Sequence, residues 1–455
     1  MKFTFKKFGY IDEGNVELAD LTLICGPNNV GKTYISYAIY GFLKHFQHLV
    51  NLHLERKQVD ELRNMGSIQV DLSLFLERIA DCFENAGTQF SKQLGDFFNA
   101  PDEFFKNART DFAFPDFNPD FAASFKGVIN FGKQEAMRFD KAEDSNILNI
   151  VLQIKENSRL PVNLLQDIIS ERIAWCLFSR ALPKPFAITS ERTGIALFYK
   201  ELDINKYAIL EQLSELEQKK DFDPFKLMNS MRSRYAEPIK DNIDIIRDYE
   251  LLSKKKSFLR GDKASYKSIF DVLQSMTGGG FKTVNGQVFY RPKKERGRSE
   301  ILVPVYLSSS SIKSLFLIDF YLSCLAEEGG LLIIDEPELN LHPDNQRKMA
   351  GLIARLVNGG VKVMVTTHSD YLVREINNRI MLSNTISNKE ELMQSKGLLE
   401  EDILKPEQVA AYALGANHTI NHIRVDRFGI DLAIFDELIA DANRTADDIY
   451  YSIKE

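Results

Sequence analysis

The spacing of apolar residues changes along the chain. MKFTFKKF (residues 1–8) alternates apolar and polar positions with period two, and VELADLTLIC (residues 16–25) ends in an apolar run, so both predict strands. VDLSLFLERIADCF (residues 70–83) instead places apolar residues at helical spacing. The pattern therefore predicts an initial pair of strands and then a mostly helical region from about residue 50 to 182. The Pro- and Phe-rich stretch 112–125 interrupts that region and is predicted to be a loop.

Short apolar runs return in the second half of the chain. FAITSERTGI (residues 186–195) and ILVPVYLS (residues 301–308) are predicted strands. GGLLIIDEPE (residues 329–338) and VKVMVTTHS (residues 361–369) contain uniformly apolar cores, which are typical of strands buried on both faces of a parallel sheet. Helical segments separate these runs, so the sequence predicts an α/β fold.

Other local signals complete the prediction of elements. Asn285-Gly286 between alternating runs is a strong hairpin signal. Helical spacing extends from about residue 196 to 276, and the chain ends in an amphipathic helix at residues 435–453.

Composition narrows the class of protein. Lys and Arg number 57 against 64 Asp and Glu, for a net charge of −7, and 44% of the 455 residues are hydrophobic. These values are typical of a soluble globular protein, and they argue weakly against a surface that binds nucleic acid all over. Four scattered cysteines without a CxxC pair exclude a disulfide scaffold and fit a reducing compartment. No apolar run approaches the roughly 18 residues of a membrane span. We therefore expect a cytoplasmic protein that does not interact with membranes.

One loop carries a phosphate-binding pattern. GPNNVGKT matches GxxxxGK[ST] at every fixed position and stands between a predicted strand and a predicted helix, an order that argues against a chance glycine-rich turn. Glycines let main-chain N–H groups turn toward phosphate oxygens, and the helix start adds a partial positive charge. Lys32 is expected to reach the β- and γ-phosphates, and the Thr33 hydroxyl to bind Mg²⁺. The residues expected to bind nucleotide are Gly26, Pro27, Asn28, Asn29, Val30, Gly31, Lys32 and Thr33.

Polar residues follow two of the buried strands. Asp335 and Glu336 end the first, where ligands of open α/β sheets bind. Asp335 is suited to hold Mg²⁺, and Glu336 to polarise an attacking water; two adjacent carboxylates repel each other, so a nearby cation would compensate. An exposed acidic turn is the alternative. His368 ends the other strand, where a single histidine is usually structural.

Together, GPNNVGKT, LLIIDEPE and TTHSD resemble the motifs of ABC-type ATPases, specifically the SMC/RecF/OLD-like branch. GPNNVGKT resembles the Walker A motif, LLIIDEPE the Walker B motif with its catalytic glutamate, and TTHSD the loop of the switch histidine. The resemblance implies a P-loop NTPase fold, an ABC-type head that uses ATP and Mg²⁺. It also implies Lys32, Glu336 and His368 as catalytic residues, with Thr33 and Asp335 at the metal.

Two further segments share this resemblance. Residues 307–315 occupy the place of the family's signature motif, although serines stand where glycine is usual. Ser308, Ser309, Ser310 and Ser311 would contact a phosphate; read alone, such a run is a helix N-cap. TSERTGI (residues 189–195) resembles the PAERxGI-like segment in the place of the glutamine loop. Arg192 would then face nucleotide or metal-bound water, the alternative being a surface Arg–Glu pair.

The motif positions predict one ATPase head split along the chain. The 275 positions between Thr33 and Ser308 are far more than a transporter subunit needs. No sustained heptads indicate a long coiled coil, and no DxD motif of a TOPRIM nuclease follows His368. The predicted head segments are 1–45, 185–200 (glutamine-loop-like) and 277–398, the helical insertions are 46–184 and 201–276, and 399–455 packs on the head.

By analogy, an ATPase of this branch without its own effector resembles the antiviral-defence ATPases of Septu (PtuA-like) and PARIS (AriA-like). This implies a head-to-tail dimer or higher oligomer that regulates a separately encoded nuclease of HNH or TOPRIM type. Two alternatives stay open: a RecF-like DNA-repair ATPase and a nucleotide-bound scaffold with negligible turnover.

Clusters of basic residues and of histidines remain. The basic clusters are candidates for contact with nucleic-acid phosphates, but equally for solvated loops. They comprise Lys254, Lys255, Lys256, Lys293, Lys294, Arg296 and Arg298. The histidines lack a third ligand at metal spacing, which favours packing or surface roles. They are His45, His48, His53, His418 and His422.

Overall fold

A computed structural model of the chain divides it into two compact units. Unit 1 comprises residues 1–17 and 38–185, and unit 2 comprises residues 18–37 and 186–455. The structure describes residues 1–101, 103–119, 121–132, 134–153, 161–198, 235–262, 264–294, 300–415, 417–431, 444–445 and 447–452. Residues 201–234, which begin the second predicted insertion, lie outside these ranges. So do Arg296, Arg298 and much of the predicted C-terminal amphipathic helix.

The strands are numbered in chain order. They are β1 (Lys2–Phe8), β2 (Ile11–Glu17), β3 (Leu21–Cys25), β4 (Ser67–Asp71), β5 (Arg109–Ala113), β6 (Phe125–Phe131), β7 (Gln134–Lys141), β8 (Ile147–Leu152), β9 (Pro185–Ile188), β10 (Gly279–Val284), β11 (Gln287–Pro292), β12 (Val303–Pro304), β13 (Leu331–Asp335), β14 (Lys362–Thr367), β15 (Val409–Leu414), β16 (Thr419–Ile423), β17 (Val425–Asp426) and β18 (Gly429–Ile430).

The helices follow the same convention. They are α1 (Lys32–Leu49), α2 (Arg56–Met65), α3 (Ile79–Phe98), α4 (Val162–Phe178), α5 (Arg192–Phe198), α6 (Glu237–Arg247), α7 (Tyr249–Leu252), α8 (Phe258–Gly261), α9 (Lys267–Thr277), α10 (Ser310–Phe320), α11 (Pro343–Asn358), α12 (Asp370–Met381) and α13 (Lys389–Lys396). Short 3₁₀ turns at Leu72–Arg78, Val305–Leu307, Glu400–Asp402 and Pro406–Gln408, and a π-helical turn at Tyr321–Leu325, complete the described elements.

Unit 1 combines helices with two groups of antiparallel strands. Strand β1 pairs with β2 and β5, and β4, β8, β7 and β6 form a four-stranded sheet in that order. Phenylalanine rings fill the core; the ring centroids of Phe42 and Phe112 lie 4.7 Å apart, and those of Phe46 and Phe178 lie 5.0 Å apart. Such edge and tilted contacts add to the free energy of apolar burial.

The expectation of a mostly helical region missed this four-stranded sheet. Helices α2, α3 and α4 span more of the region than the strands do. The window 70–83 nevertheless divides into the end of β4, the turn Leu72–Arg78 and the start of α3. The window was misread because a strand end followed by a tight 3₁₀ turn can imitate helical spacing over a few residues.

Unit 2 is built on a largely parallel sheet with the strand order β16-β15-β3-β14-β13-β9. The pairs β15–β3, β3–β14 and β14–β13 are parallel, while β16 is antiparallel to β15. Every residue of β3 and of β13 is buried, as the uniformly apolar runs predicted. The predicted α/β class is confirmed.

Three local predictions in unit 2 have different outcomes. The hairpin is confirmed, since Asn285 (φ 50°) and Gly286 (φ 72°) join β10 to β11. The strand predicted over 186–195 is wrong beyond Ile188, because Arg192 begins α5. The strand predicted over 301–308 shrinks to β12 and a 3₁₀ turn. Within the described ranges, no helix has the length and apolar character needed to cross a membrane.

Candidate active site

The parallel register brings three strand ends together in unit 2. Thr367 of β14 pairs with Cys25 of β3, and Asp335 of β13 pairs with Thr366 of β14. The carboxyl ends of these strands therefore lie at one edge of the sheet. The segments that follow them are the phosphate loop (residues 26–33), the acidic turn (residues 335–338) and the loop that carries His368.

The phosphate loop turns sharply between β3 and α1. Gly26 (φ 152°), Asn29 (φ 65°) and Gly31 (φ 101°) all have positive φ, which glycine adopts freely and asparagine tolerates. The ammonium of Lys32, 5% exposed, donates to the carbonyls of Gly26 (2.9 Å) and Pro27 (2.7 Å). Burial lowers the pKa of Lys32, and the carboxylates of Glu336, Asp335 and Glu338 oppose that shift. The Lys32 side chain is thus hydrogen-bonded to carbonyls of its own loop.

Gly26→Ala is expected to distort this loop. An added Cβ would lie 2.3 Å from the carbonyl oxygen of Leu414, a main-chain atom of β15 that has little freedom to move. We expect a loss of about 1 to 3 kcal/mol in the free energy of unfolding, which is the usual cost of overpacking, together with weaker binding of a fluorescent ATP analogue. Gly194→Ala is the matched control, because no atom lies within 4 Å of its added Cβ. Equal effects of the two substitutions on unfolding and on binding would contradict the prediction.

Asp335 lies at the centre of the site and is 1% exposed. The Thr33 hydroxyl lies 3.1 Å from its Oδ2 atom, and the Thr366 hydroxyl donates to its Oδ1 atom. Burial raises the pKa of Asp335 to about 6, the repulsion from Glu336 and Glu191 adds to this, and the two hydroxyls oppose it. The two side chains predicted to hold Mg²⁺ are therefore in direct contact.

Asp335→Asn is expected to stabilise the nucleotide-free protein above pH 6. A folded-state pKa raised to about 6 means that the fold favours the protonated acid, so this group's contribution to stability is lost as pH rises through that value. The shift corresponds to about 2 to 3 kcal/mol. Urea unfolding in EDTA should show a more stable variant at pH 8 and a smaller difference at pH 4.5. A variant less stable than wild type at pH 8 would contradict this, and the exposed Asp271→Asn serves as control.

Glu336 has an unusual backbone conformation that the surrounding residues hold in place. Its φ is 50°, a left-handed value that costs a residue with a side chain about 1 kcal/mol or more. Its N–H donates to the carbonyl of Thr366 (3.0 Å), and its own carbonyl accepts from Arg192 Nη2 (2.6 Å). These contacts hold the main chain at Glu336, and they therefore fix where its side chain begins.

Arg192 is fully buried at the start of α5, with 0% exposure. Its Nη1 donates to the carbonyls of Asp335 (2.7 Å) and Thr189 (3.1 Å), and its Nε donates to Ser314 Oγ (3.0 Å). Burial lowers its pKa to about 10, opposed by the nearby carboxylates. The interpretation as a surface Arg–Glu pair is wrong. The guanidinium binds the main chain of the acidic turn through the carbonyls of Asp335 and Glu336.

Glu338 is a site residue that the sequence reasoning missed. Its Oε1 accepts from the Thr367 hydroxyl (2.7 Å) and from the His368 N–H (2.9 Å). His368 Nδ1 lies 3.4 Å from Glu338 Oε1 and 3.7 Å from Glu336 Oε1. The acidic residue three positions after Asp335 was the available signal. The structure thus brings His368 together with two carboxylates of the acidic turn.

The serine run begins helix α10. Ser309 Oγ accepts from the Ile312 N–H (3.3 Å), so the N-cap interpretation is confirmed. Ser308 Oγ donates to the Val305 carbonyl (2.6 Å), while Ser310 is exposed. Further along the helix, Ser314 donates to the Leu339 carbonyl and accepts from Arg192. Through Ser314 and Arg192, helix α10 is therefore connected to the acidic turn and to Leu339, which follows that turn.

The histidines outside the site make local contacts. His48 Nδ1 lies 2.9 Å from Glu171 Oε1, and His53 Nε2 lies 3.1 Å from Asp167 Oδ1, with all four side chains at least partly exposed. The ring of His422 packs edge-on against Tyr412. These contacts agree with the packing or surface roles expected for these histidines.

Comparison with known proteins adds one decisive match. Residues 1–373 match the family described as AAA ATPase domain. The chain belongs to this family. Its members are ATPases, so the phosphate loop of this AAA ATPase domain has a nucleotide as its expected ligand. Among curated proteins, no match was found.

Solved structures give weaker likenesses. The Smc head domain from Pyrococcus furiosus, with an extended coiled coil and bound to the C-terminal domain of ScpA, has 14% identity over 97% of this chain and 98% of that one, with a TM-score of 0.33. The SMC head domain from Thermotoga maritima has 11% identity over 93% and 98%, with a TM-score of 0.30. Likenesses at this level add nothing to what the family match establishes.

Proposed function

We propose that this AAA ATPase domain protein binds ATP with Mg²⁺ and hydrolyses it, in the manner of an ABC-type head. The observation that carries the proposal is the convergence of the phosphate loop, the acidic turn and His368 at one edge of the parallel sheet in unit 2. Ligands of open α/β sheets bind at that edge. The head would comprise the segments predicted from the sequence, with the insertions between them.

The residues of the phosphate loop fit a triphosphate. Two loop carbonyls now accept from the buried Lys32 ammonium, and phosphate oxygens would replace them as stronger, charged acceptors. The loop N–H groups of residues 26–33 and the start of α1 would bind the remaining phosphate oxygens.

The Thr33 hydroxyl and the Asp335 carboxylate fit Mg²⁺. Both are hard oxygen ligands in direct contact, and burial raises the pKa of Asp335 to about 6. When bound, Mg²⁺ would neutralise charge on the β- and γ-phosphates. The raised pKa marks a carboxylate whose ionised form needs such a cation nearby.

Glu336 and His368 would act on the water and the γ-phosphate. The Glu336 carboxylate would accept a hydrogen bond from the attacking water and orient its lone pair toward phosphorus. His368 would donate to a γ-phosphate oxygen, and Lys32 would stabilise the charge that develops there.

Steady-state release of phosphate tests the proposed reaction. We expect turnover that requires Mg²⁺ and that falls to background in Lys32→Ala. Nucleotide binding without turnover in the wild type would instead favour the nucleotide-bound scaffold. Absence of both binding and turnover would contradict the ATPase assignment itself.

The proposed active unit is a head-to-tail dimer or higher oligomer in which Ser308–Ser311 of one copy meet the nucleotide of the other. Two large apolar side chains beside the serines support an interface, since Tyr306 is 41% exposed and Leu307 is 66% exposed. The N-terminus of α10 adds a partial positive charge suited to a phosphate.

Leu307→Glu is expected to weaken ATP-dependent dimerisation about tenfold or more, because a buried charge at an interface costs more than 1.4 kcal/mol. Gel filtration with ATP in a Glu336→Gln background measures it. Leu74→Glu is the control, since Leu74 has the same 66% exposure in unit 1. A strictly monomeric Glu336→Gln protein would count against the dimer.

We further propose that the dimer regulates a separately encoded nuclease of HNH or TOPRIM type in antiphage defence, within the cytoplasm. The sequence resemblance to defence ATPases supports this step. Co-purification from the native operon should recover the nuclease with the ATPase. Recovery of the ATPase alone, with DNA bound tightly, would contradict it.

A RecF-like role in binding DNA is the second candidate. A surface cavity of about 380 Å³ beside β11 is lined by Arg291, Lys293 and Lys294, with Glu300 as a partial counterion. Titration with duplex DNA would test it. A Lys293→Glu, Lys294→Glu variant should bind more weakly and with a smaller dependence on salt.

A further inference from the structure

We propose that Glu338 is a positioning residue that holds the loop of His368 and orients its imidazole toward the nucleotide. The proposal rests on the proposed ATPase function for its kinetic consequence, but the contacts that carry it belong to the protein alone. Neither the phosphate-loop pattern nor the family match assigns a role to this residue.

One oxygen atom of Glu338 accepts a hydrogen bond from the backbone of His368 and lies close to its ring. Oε1 accepts from the Thr367 hydroxyl at 2.7 Å and from the main-chain N–H of His368 at 2.9 Å, and it lies 3.4 Å from His368 Nδ1. The Glu338 side chain is 4% exposed, whereas the His368 side chain is 43% exposed. The partly exposed side chain of His368 is therefore next to the buried carboxylate of Glu338.

In this proposal, the contact of Nδ1 with Glu338 sets which way the ring faces. A hydrogen on Nδ1 that points toward a carboxylate sets the tautomer and directs Nε2 to the opposite side of the ring. Glu336 Oε1, at 3.7 Å from the same Nδ1, lies on that same carboxylate side. Nε2 is consequently the ring nitrogen left to meet a ligand.

The other oxygen of Glu338 points to a functional rather than a stabilising role. Oε2 is buried and has no hydrogen-bond partner among the residues that the structure describes, an arrangement that is rare in proteins. Burial lowers the pKa of Lys32 and raises that of Cys25; the Glu338 carboxylate opposes the first shift and adds to the second, so its charge acts on the phosphate loop as well. An apolar residue of similar size would avoid this cost. The charge is therefore retained for its effect on the neighbouring groups.

Substitution of Glu338 by glutamine, which conserves size and removes charge, tests the kinetic consequence. We expect kcat to fall about tenfold to a hundredfold, as when a ligating histidine loses its orienting partner, while KM and the Kd of a fluorescent ATP analogue change less than about threefold. His368→Ala should abolish the effect, so that the double variant is no slower than His368→Ala alone. Glu328→Gln, an exposed glutamate ahead of β13, is the control.

A purely structural role would give a different result. It would lower the melting temperature and reduce kcat by the same factor with or without His368, and either result would overturn the proposal.

Selective ¹⁵N labelling of histidine separates this proposal from the proposed function. The His368 signals should report a proton on Nδ1 in the wild type, and a changed tautomer balance in Glu338→Gln, whether or not the protein hydrolyses ATP. Identical ¹⁵N signals in the two proteins would overturn the positioning role. Normal signals with no turnover in wild type would instead overturn only the ATPase function.

Discussion

Glu336→Gln is expected to reduce steady-state phosphate release about a hundredfold to a thousandfold while leaving binding of Mg–ATP intact. The substitution removes the acceptor proposed to orient the attacking water, and losses of this size are typical for groups that act on the transition state. Glutamine keeps the length of the side chain, and the main-chain contacts with Thr366 and Arg192 that hold position 336 are unaffected.

Single-turnover kinetics with a phosphate sensor would measure the chemical step, and equilibrium titration with a fluorescent analogue would measure binding. Glu390→Gln, an exposed residue of α13, provides the control for loss of one carboxylate. An unchanged hydrolysis rate in Glu336→Gln would mean that another group polarises the water.

Arg192→Ala is expected to lower the free energy of unfolding by about 3 to 5 kcal/mol, the range for removing one partner from a buried charged group. The carbonyls of Asp335 and Glu336 would each lose a donor, and a cavity would remain. Arg192→Lys should recover only part of the loss, because an ammonium lacks the planar array of donors that reaches Thr189, Ser314 and both carbonyls together.

Urea unfolding followed by circular dichroism would measure these losses. Arg424→Ala is the comparison, since that side chain is 81% exposed and bound to one surface carboxylate. If Arg192→Ala unfolded at the same urea concentration as Arg424→Ala, the buried network would not contribute as its contacts indicate.

The sequence predicts those parts of the site whose geometry is local. Eight consecutive residues define the phosphate loop, so their order alone predicts a turn between strand and helix. Asp335 could be predicted because it is the charged residue at the end of a uniformly apolar run. Ser309 was found as a cap because hydroxyl side chains pair with N–H groups only three residues away.

The remaining parts depend on contacts between distant residues. Arg192 meets Ser314 and Asp335, more than 120 positions away, and no local pattern records such a contact. Glu338 meets Thr367 through the sheet order. Strand β7 was missed because the register shift between Ile129 and Asn130 places an extra residue in β7, which breaks the period of two on which strand prediction depends.

The place of β3 in the sheet has a consequence for the order of synthesis. Leu21 in β3 pairs on one side with Val363 of β14 and on the other with Val409 of β15. A ribosome must therefore translate almost the whole sequence before this early strand can acquire both neighbours. Until then its five residues, four of which are apolar, offer unpaired edges to chaperones or to other nascent chains. A chain truncated before β15 would therefore leave one edge of β3 without its native neighbour.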